Sequence, residues 1–156
     1  FMYLGFMGRN VLECNCRLGD TEAQSALLAT DGDFFELCLA AARREFRTAR
    51  PLVQSGHAVC IVLASAEYPE SSDRDDIIRG LDEMPETGAI LLDCGTREAD
   101  DPEEGRTFRT NRRGRVLNSV GLALTLEEAR RIAYAGAAIP QFPGMKYRRD
   151  IYAALV

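Results

Sequence analysis

The sequence predicts an α+β fold with mainly antiparallel strands and helices laid over them, and three observations carry that prediction. Beyond residue 56 the chain shows short strand-like runs, among them His57 to Ala64 and Arg115 to Leu122, separated by polar turns. Two capping signals, Asp33 with Glu36 and Thr125 with Glu128, each head a segment whose apolar residues recur at helical spacing. Near the start, Gly8-Arg9-Asn10 joins two apolar runs, as a hairpin turn does. The pattern changes at Ala49-Arg50-Pro51, which divides the chain into units 1–51 and 52–156.

Taken in order, Phe1 to Met7 and the run from Val11 form the hairpin, and residues 22 to 30 continue as a short helix. The helix opened by Asp33 carries Phe34, Leu37, Cys38 and Ala41 on one face. It is expected to end before Pro51, because the residue preceding a proline is disfavoured in helix. Strands are expected at His57–Ala64, Ala89–Asp93, Thr107–Arg109 and Arg115–Leu122. The acidic segment Arg97 to Gly105 reads as a solvated hairpin loop. The helix opened by Thr125 buries Leu126, Ala129, Ile132, Ala133 and Ala137 and stops at Pro140. Gln141-Phe142-Pro143-Gly144 is a turn, and Tyr147 to Val156 a short closing helix.

Hydrophobic content of 46% and charged content of 28% are those of an ordinary globular protein. A net charge of −5 argues against a nucleic-acid partner, which a basic face would serve. The longest apolar runs are too short to cross a bilayer, and the start lacks the order of a signal peptide, so no membrane partner and a cytoplasmic location are expected. Of the five cysteines, Cys14, Cys16, Cys38 and Cys60 lie in apolar runs and read as reduced core residues. No second Cys or His pair accompanies Cys14-x-Cys16 to complete a soft-metal site. His57, the sole histidine, follows Gly56 at a strand start and reads as structural. Phe1 opens directly in an apolar run, which suggests a fragment or a processed piece.

The chemistry is expected in Val11 to Gln24. Strand alternation puts Glu13, Asn15 and Arg17 on one face and Leu12, Cys14, Cys16 and Leu18 on the other. A surface strand can carry such a face for solubility alone. A Glu and an Asn two residues apart also present oxygens to a common point, which suits a hard cation that holds substrate phosphates as well. Arg17 could grip a phosphate or acyl-phosphate oxygen through paired donors. No Gly-rich phosphate loop of the Walker or dinucleotide type is present in the sequence.

Glu13, Asn15 and the run Arg17-Leu18-Gly19-Asp20-Thr21-Glu22-Ala23-Gln24 resemble the end of the ATP-grasp domain in the glycinamide ribonucleotide synthetase (phosphoribosylamine–glycine ligase) family. The family pattern is Arg, Leu or Phe, Gly, Asp, Pro, Glu, any residue, then Gln or Glu, so Thr21 stands at the Pro position. The likeness continues in order. His57 to Ser65 with Tyr68-Pro69 resembles the first strand and the Gly-Tyr-Pro turn of the family's C-terminal domain. Asp93-Cys94-Gly95-Thr96 is similar to its His-Ala-Gly-Thr. Thr110-Asn111, Gly114 to Asn118 and Thr125 to Ala129 match the next block, with one extra residue among Arg112 and Arg113. Tyr147-Arg148-Arg149-Asp150-Ile151 matches the closing motif. Glu67 stands where the family has Gly, Asp93 where it has His, Tyr152 where it has Gly, and Arg74-Asp75 where it has Lys-Gly.

The resemblance implies the end of an ATP-grasp domain followed by a mainly antiparallel β C-terminal domain with helices. It implies ATP as substrate, Mg²⁺ or Mn²⁺ as cofactor, and glycine and phosphoribosylamine as the small molecules joined in purine synthesis. Glu13 and Asn15 would be the metal ligands, Arg17 the catalytic group on the phosphate, and Gly19, Asp20 and Glu22 the glycine side. Arg115, and Arg148 or Arg149, are candidates for the ribose phosphate. The N-terminal domain, the nucleotide-binding lobe and the upstream acidic ligand would be partners from the same protein, and these residues alone would be inactive. Two rivals stay open: a ligase of the same lineage with another carboxylate and amine pair, and a non-catalytic interaction module that retains the fold.

Overall fold

The computed structural model describes residues 2–45, 47–70, 74–111 and 114–153. Strands β1 (Tyr3–Met7) and β2 (Asn10–Asn15) form the expected hairpin, with Met7 opposite Asn10 and Gly8 at φ 62° in the two-residue turn between them. A side chain with a Cβ tolerates that left-handed backbone poorly, which is why a glycine stands there. Helix α1 (Glu22–Leu28) follows, then the two-residue strand β3 (Thr30–Asp31) and helix α2 (Phe34–Arg43). The Asp33 carboxylate accepts from the Glu36 N–H at 2.9 Å and caps α2 as its spacing predicted. Well before Pro51, α2 ends at Arg44, whose left-handed φ of 61° turns the chain. Strand β4 (Val53–Gln54) then pairs back on β3.

The remaining elements form two three-stranded antiparallel sheets. One has the order β5 (His57–Ala64), β10 (Arg115–Ala123), β7 (Ile90–Asp93). The other has the order β6 (Ile77–Ile78), β9 (Gly105–Thr110), β8 (Thr96–Asp101). A 3-10 helix (Leu81–Thr87) links β6 to β7. Helix α3 (Leu126–Ala137) begins at Thr125, whose hydroxyl accepts from the Glu128 N–H at 3.3 Å.

The core lies between α3 and the first sheet. Val59, Ile61 and Leu63 alternate on the β5 face that meets α3, together with Leu117 of β10 and Phe142. The facing stripe of α3 is small, with Ala129, Ala133, Gly136 and Ala137 buried. Small residues let the helix descend onto the sheet until backbones touch. The Ser119 hydroxyl donates to the Ala133 carbonyl at 2.8 Å, and a Cβ on Gly121 would lie 2.5 Å from the Ala133 nitrogen and nearer still to the Ala129 oxygen. Each large aliphatic side chain buried here contributes about 1.5–3 kcal/mol of transfer free energy.

Four expectations need correction. The acidic segment is mostly strand: Thr96 to Asp101 pairs with β9, and only the turn to Gly105 is loop. Arginines make this possible, since Glu98 pairs with Arg106, Asp101 with Arg109, and Glu104 with Arg79 at 2.6, 2.7 and 2.5 Å. The described part of the closing segment, to residue 153, contains no α-helix, and Tyr152 sits at φ 63°, outside helical backbone. Residues 154–156 of that expected helix, and Arg112 and Arg113, lie outside the described residues. Cys14 and Cys16 are exposed, because nothing among the described residues covers the hairpin's apolar side chains, and Cys38 on α2 and Cys60 on β5 are half-buried. Finally, β2 ends at Asn15, so Arg17 stands beyond the strand instead of sharing its face. No helix among the described residues is long and apolar enough to cross a membrane.

Two measurements check this account. Gly121→Ala should destabilise the chain at the upper end of the ~1–3 kcal/mol range for overpacking, because backbone and not a flexible side chain stands in the way; urea unfolding measures it. The Asp101 carboxyl is held below the usual carboxylate range, first by the Glu103 N–H, then by the Arg109 guanidinium and the Glu104 N–H. A lowered folded-state pKa stabilises the fold above the unfolded value and is lost as pH falls through the folded one. Asp101→Asn should therefore flatten the fall of the urea midpoint below about pH 4. An unchanged acid limb would show that this carboxylate contributes nothing.

Candidate functional site

Cross-strand partners share a face, so the pairs Tyr3↔Asn15 and Gly5↔Glu13 bring Tyr3, Gly5, Glu13 and Asn15 to one side of the hairpin. A Cβ on Gly5 would meet the Glu13 Cγ at 3.0 Å, so the missing side chain is what lets Glu13 lie across the strand. Glu22, at the start of α1, reaches the same place, and its carboxylate accepts from the Tyr3 hydroxyl at 2.9 Å. Gly19 closes the group, since a Cβ there would collide with the Glu22 carboxylate, whose Cδ would be 3.0 Å away. The Tyr3 phenol is pushed up, mainly by the hydrogen bond to Glu22, with burial and the charges of Glu22 and Glu13 adding to it. Glu13, Asn15, Gly19 and Glu22 are thus assembled around a tyrosine that sequence reasoning did not single out.

Arg17 is outside this group; its Nη1 donates to the Leu18 carbonyl at 2.8 Å. Asp20 faces the other way, toward the C-terminal unit. Its carboxylate accepts from Gln24 Nε2 at 2.7 Å and lies 3.1 Å from Arg115 Nη1, which also donates to the Asp20 carbonyl at 2.9 Å. Both partners are about a third exposed, so the link matters more for geometry than for stability.

Beside this link opens a cleft of about 420 Å³. Asp20, Glu22, Tyr68, Arg115, Lys146 and Arg148 are among the residues that line it. Lys146 ties the loop after β5, donating through Nζ to the Ala66 and Tyr68 carbonyls at 2.8 Å each. Arg148 is held on one edge by Asp150, with Nε to Oδ1 at 2.9 Å and Nη2 to Oδ2 at 2.7 Å. The paired arginines part company here. Arg149 lies outside the cleft, its guanidinium 5.8 Å from the centre of the Tyr147 ring. Lys146 and Tyr68 add to the predicted lining; the signal for Lys146 was its place directly before Tyr147-Arg148.

Under the cleft, burial pushes the Cys60 thiol up to about 12 and raises that of Cys94. Both are therefore protonated near neutral pH and unsuited to nucleophilic chemistry. Among the described residues no group of three or more His, Cys, Asp or Glu side chains is arranged to hold a metal ion. The carboxylate of Glu13 and the amide of Asn15 are donors of the type a hard cation takes, and they fit such an ion as part of a ligand set.

Glu67, Arg74 and Asp93, which depart from the resembling pattern, have partners. Glu67 and Arg74 meet at 3.1 Å. Asp93 Oδ1 accepts from the Thr96 N–H and hydroxyl at 2.9 and 2.6 Å and so closes the turn into β8. Tyr152 keeps the left-handed backbone for which a glycine is suited.

The family profile described as "Phosphoribosylglycinamide synthetase, C domain" matches residues 58–154. A phosphoribosylamine–glycine ligase of Allochromatium vinosum is 35% identical over 156 residues, covering 97% of this chain and 35% of the relative. One of Caulobacter vibrioides is 36% identical, with 96% and 35% covered. A crystal structure of phosphoribosylamine–glycine ligase from Thermotoga maritima superimposes with a TM-score of 0.72 at 32% identity, covering 90% of this chain and 32% of that one. The chain spans about a third of the length of these relatives. A profile match over residues 58–154 and relatives above 30% identity over nearly the whole chain place it in a family: it belongs to the phosphoribosylglycinamide synthetases.

Proposed function

We propose that this chain is part of a cytoplasmic, ATP-dependent ligase that joins glycine to phosphoribosylamine in purine synthesis, and that it supplies about a third of that protein's length. Residues 1–51 would close the ATP-grasp domain and 52–156 form the C-terminal domain. In this reading the glycine carboxylate attacks the γ-phosphorus of ATP, releasing ADP and forming glycyl phosphate. The amine then attacks the carbonyl carbon, and phosphate leaves as the amide bond forms. The single observation that carries the reading is the Arg115–Asp20 link, which sets the Gly19-Asp20-Thr21-Glu22 turn of one unit against the basic rim of Arg115, Lys146 and Arg148 from the other.

Both reacting partners are anions, so the task of the site is to neutralise charge where they meet. Glu13 and Asn15 would hold Mg²⁺ or Mn²⁺, which supplies charge neutralisation on the ATP phosphates when bound. Arg17 is exposed, its hydrogen bond among the described residues runs to its neighbour's carbonyl, and it would swing onto a phosphoryl oxygen. Gly19, Asp20 and Glu22 would line the glycine side. Arg115 and Arg148 would take the ribose phosphate, a role that the position of Arg149 outside the cleft does not favour. The nucleotide lobe and N-terminal domain would come from the rest of the protein, so the 156 residues alone are expected to bind Mg-ATP only feebly. Tight binding in calorimetry would overturn that expectation.

One observation favours a second reading, in which another carboxylate and amine are joined. Glu67 and Arg74 pair with each other where the family pattern has Gly and Lys, in the loop that Lys146 ties beside the cleft. The deciding assay follows phosphate release by the full-length protein with glycine and phosphoribosylamine. Turnover with that pair is expected, and Glu13→Gln should lower kcat by at least ~10²-fold while raising the Mg²⁺ concentration required. Absence of turnover would favour the second reading, and full activity in Glu13→Gln would remove the metal assignment.

A further inference from the structure

The residues that carry Arg148 have little secondary structure to hold them. Backbone polar groups in such a segment need partners from elsewhere, and residues 148–151 find them on two side chains of α3. The Tyr134 hydroxyl donates to the Arg148 carbonyl and accepts from the Ile151 N–H, both at 3.0 Å. Arg130, one helical turn earlier, donates through Nε to the Ile151 carbonyl at 2.9 Å and through Nη2 to the Arg149 carbonyl at 3.4 Å. The two are locked to each other, with the Arg130 guanidinium 4.7 Å from the centre of the Tyr134 ring. Tyr147 packs near Tyr134, ring centroids 6.4 Å apart.

We infer that Tyr134, seconded by Arg130, is a positioning residue that straps residues 148–151 onto α3 and so fixes where Arg148 stands on the cleft rim. This rests on the reading above in which Arg148 meets the phosphate of the amine substrate. The strap joins the rim to the best-anchored helix of the chain, since α3 touches β10 backbone to backbone. It also accounts for the parting of the arginines. With the Arg148 and Arg149 carbonyls both drawn to α3, Arg148 lines the cleft while Arg149 lies over Tyr147 outside it. Asp150 then grips the Nε and Nη2 edge of Arg148, and Nη1 has no protein partner among the described residues. Removing one hydroxyl, in Tyr134→Phe, frees two backbone groups at once and leaves the ring packing in place.

The test uses the full-length protein in steady-state kinetics with each substrate varied in turn. Tyr134→Phe should raise KM for phosphoribosylamine about 5- to 10-fold, the scale of a lost hydrogen bond, with kcat and the KM values of ATP and glycine within about twofold of wild type. Arg130→Lys, which loses the fork but keeps the charge, should show the same pattern. Arg148→Ala should raise the same KM, and the double variant Tyr134→Phe/Arg148→Ala should be no worse than Arg148→Ala, since the tyrosine acts only through the arginine. If Arg148→Ala raises KM while Tyr134→Phe and Arg130→Lys do not, or if the effects add in the double variant, the inference fails and the reading of Arg148 survives. If Arg148→Ala leaves KM unchanged, the reading of Arg148 fails and the inference with it. A uniform loss of kcat with a lowered melting temperature in both strap variants would overturn positioning in favour of a merely structural role.

Discussion

The architecture turns on a contact of backbone with backbone, where Gly121 of β10 meets the Ala129 to Ala133 turn of α3. Strand β10 is hydrogen-bonded on both edges, to β5 and to β7, so its position is set by the sheet. Helix α3 can reach it only because the strand offers no side chain at 121 and the helix offers alanines. Once α3 is seated at that depth, Ile61, Leu63 and Val116 are sealed from water. The same seating decides where both ends of the site go. Arg115 leaves the beginning of β10 toward Asp20, and Arg130 and Tyr134 leave the outer side of α3 toward the closing segment.

Charge is handled differently in the two parts of the chain. On the β6-β9-β8 sheet, arginines and carboxylates neutralise one another across strands, and Asp75 serves both Arg97 and Arg109. Around the cleft the pairing is looser: Arg115 shares a carboxylate that Gln24 also contacts, and Lys146 spends its donors on neutral carbonyls. Among the described residues Lys146 has no ion-pair partner beside the cleft. The cleft thus gathers Arg115, Lys146 and Arg148 beside Asp20 and Glu22, with both arginines already engaged by a carboxylate.

What could be read from the sequence is what is decided locally. The hairpin turn at Gly8, the two capping residues Asp33 and Thr125, and the strand His57–Ala64 depend on neighbours a few residues away, and all were legible. Strands β3, β4 and β6 were not, because two residues carry no period and Ile78 is strand only by virtue of Phe108 thirty residues on. Strand β8 looked like a loop because the arginines that pair with its carboxylates, Arg106 with Glu98 and Arg109 with Asp101, are supplied from β9 and not from its own run. At the site, Glu13 and Asn15 followed from alternation, whereas Tyr3 did not. A register shift between Gly5 and Phe6 leaves Leu12 unpaired, so counting back from the turn sets Gly5 opposite the wrong residue. The closing segment has helix-compatible residues, but its carbonyls are claimed by α3 before a helix can use them.

The hairpin of β1 and β2 has a consequence for the hierarchy of stability. It is a two-stranded ladder whose Phe6, Met7, Val11 and Leu12 are more than half exposed, and such ladders are marginal in water. The core of β5, β10 and α3, by contrast, is sealed. Local opening draws first on the part with least burial, so Glu13 and Asn15 sit on the element that frays first, while Arg115 starts from β10, a strand of the sealed core. In this chain the group around Tyr3 therefore rests on an element with little burial of its own, held to the rest by the Tyr3–Glu22 hydrogen bond, while Arg115 is carried by the sealed sheet.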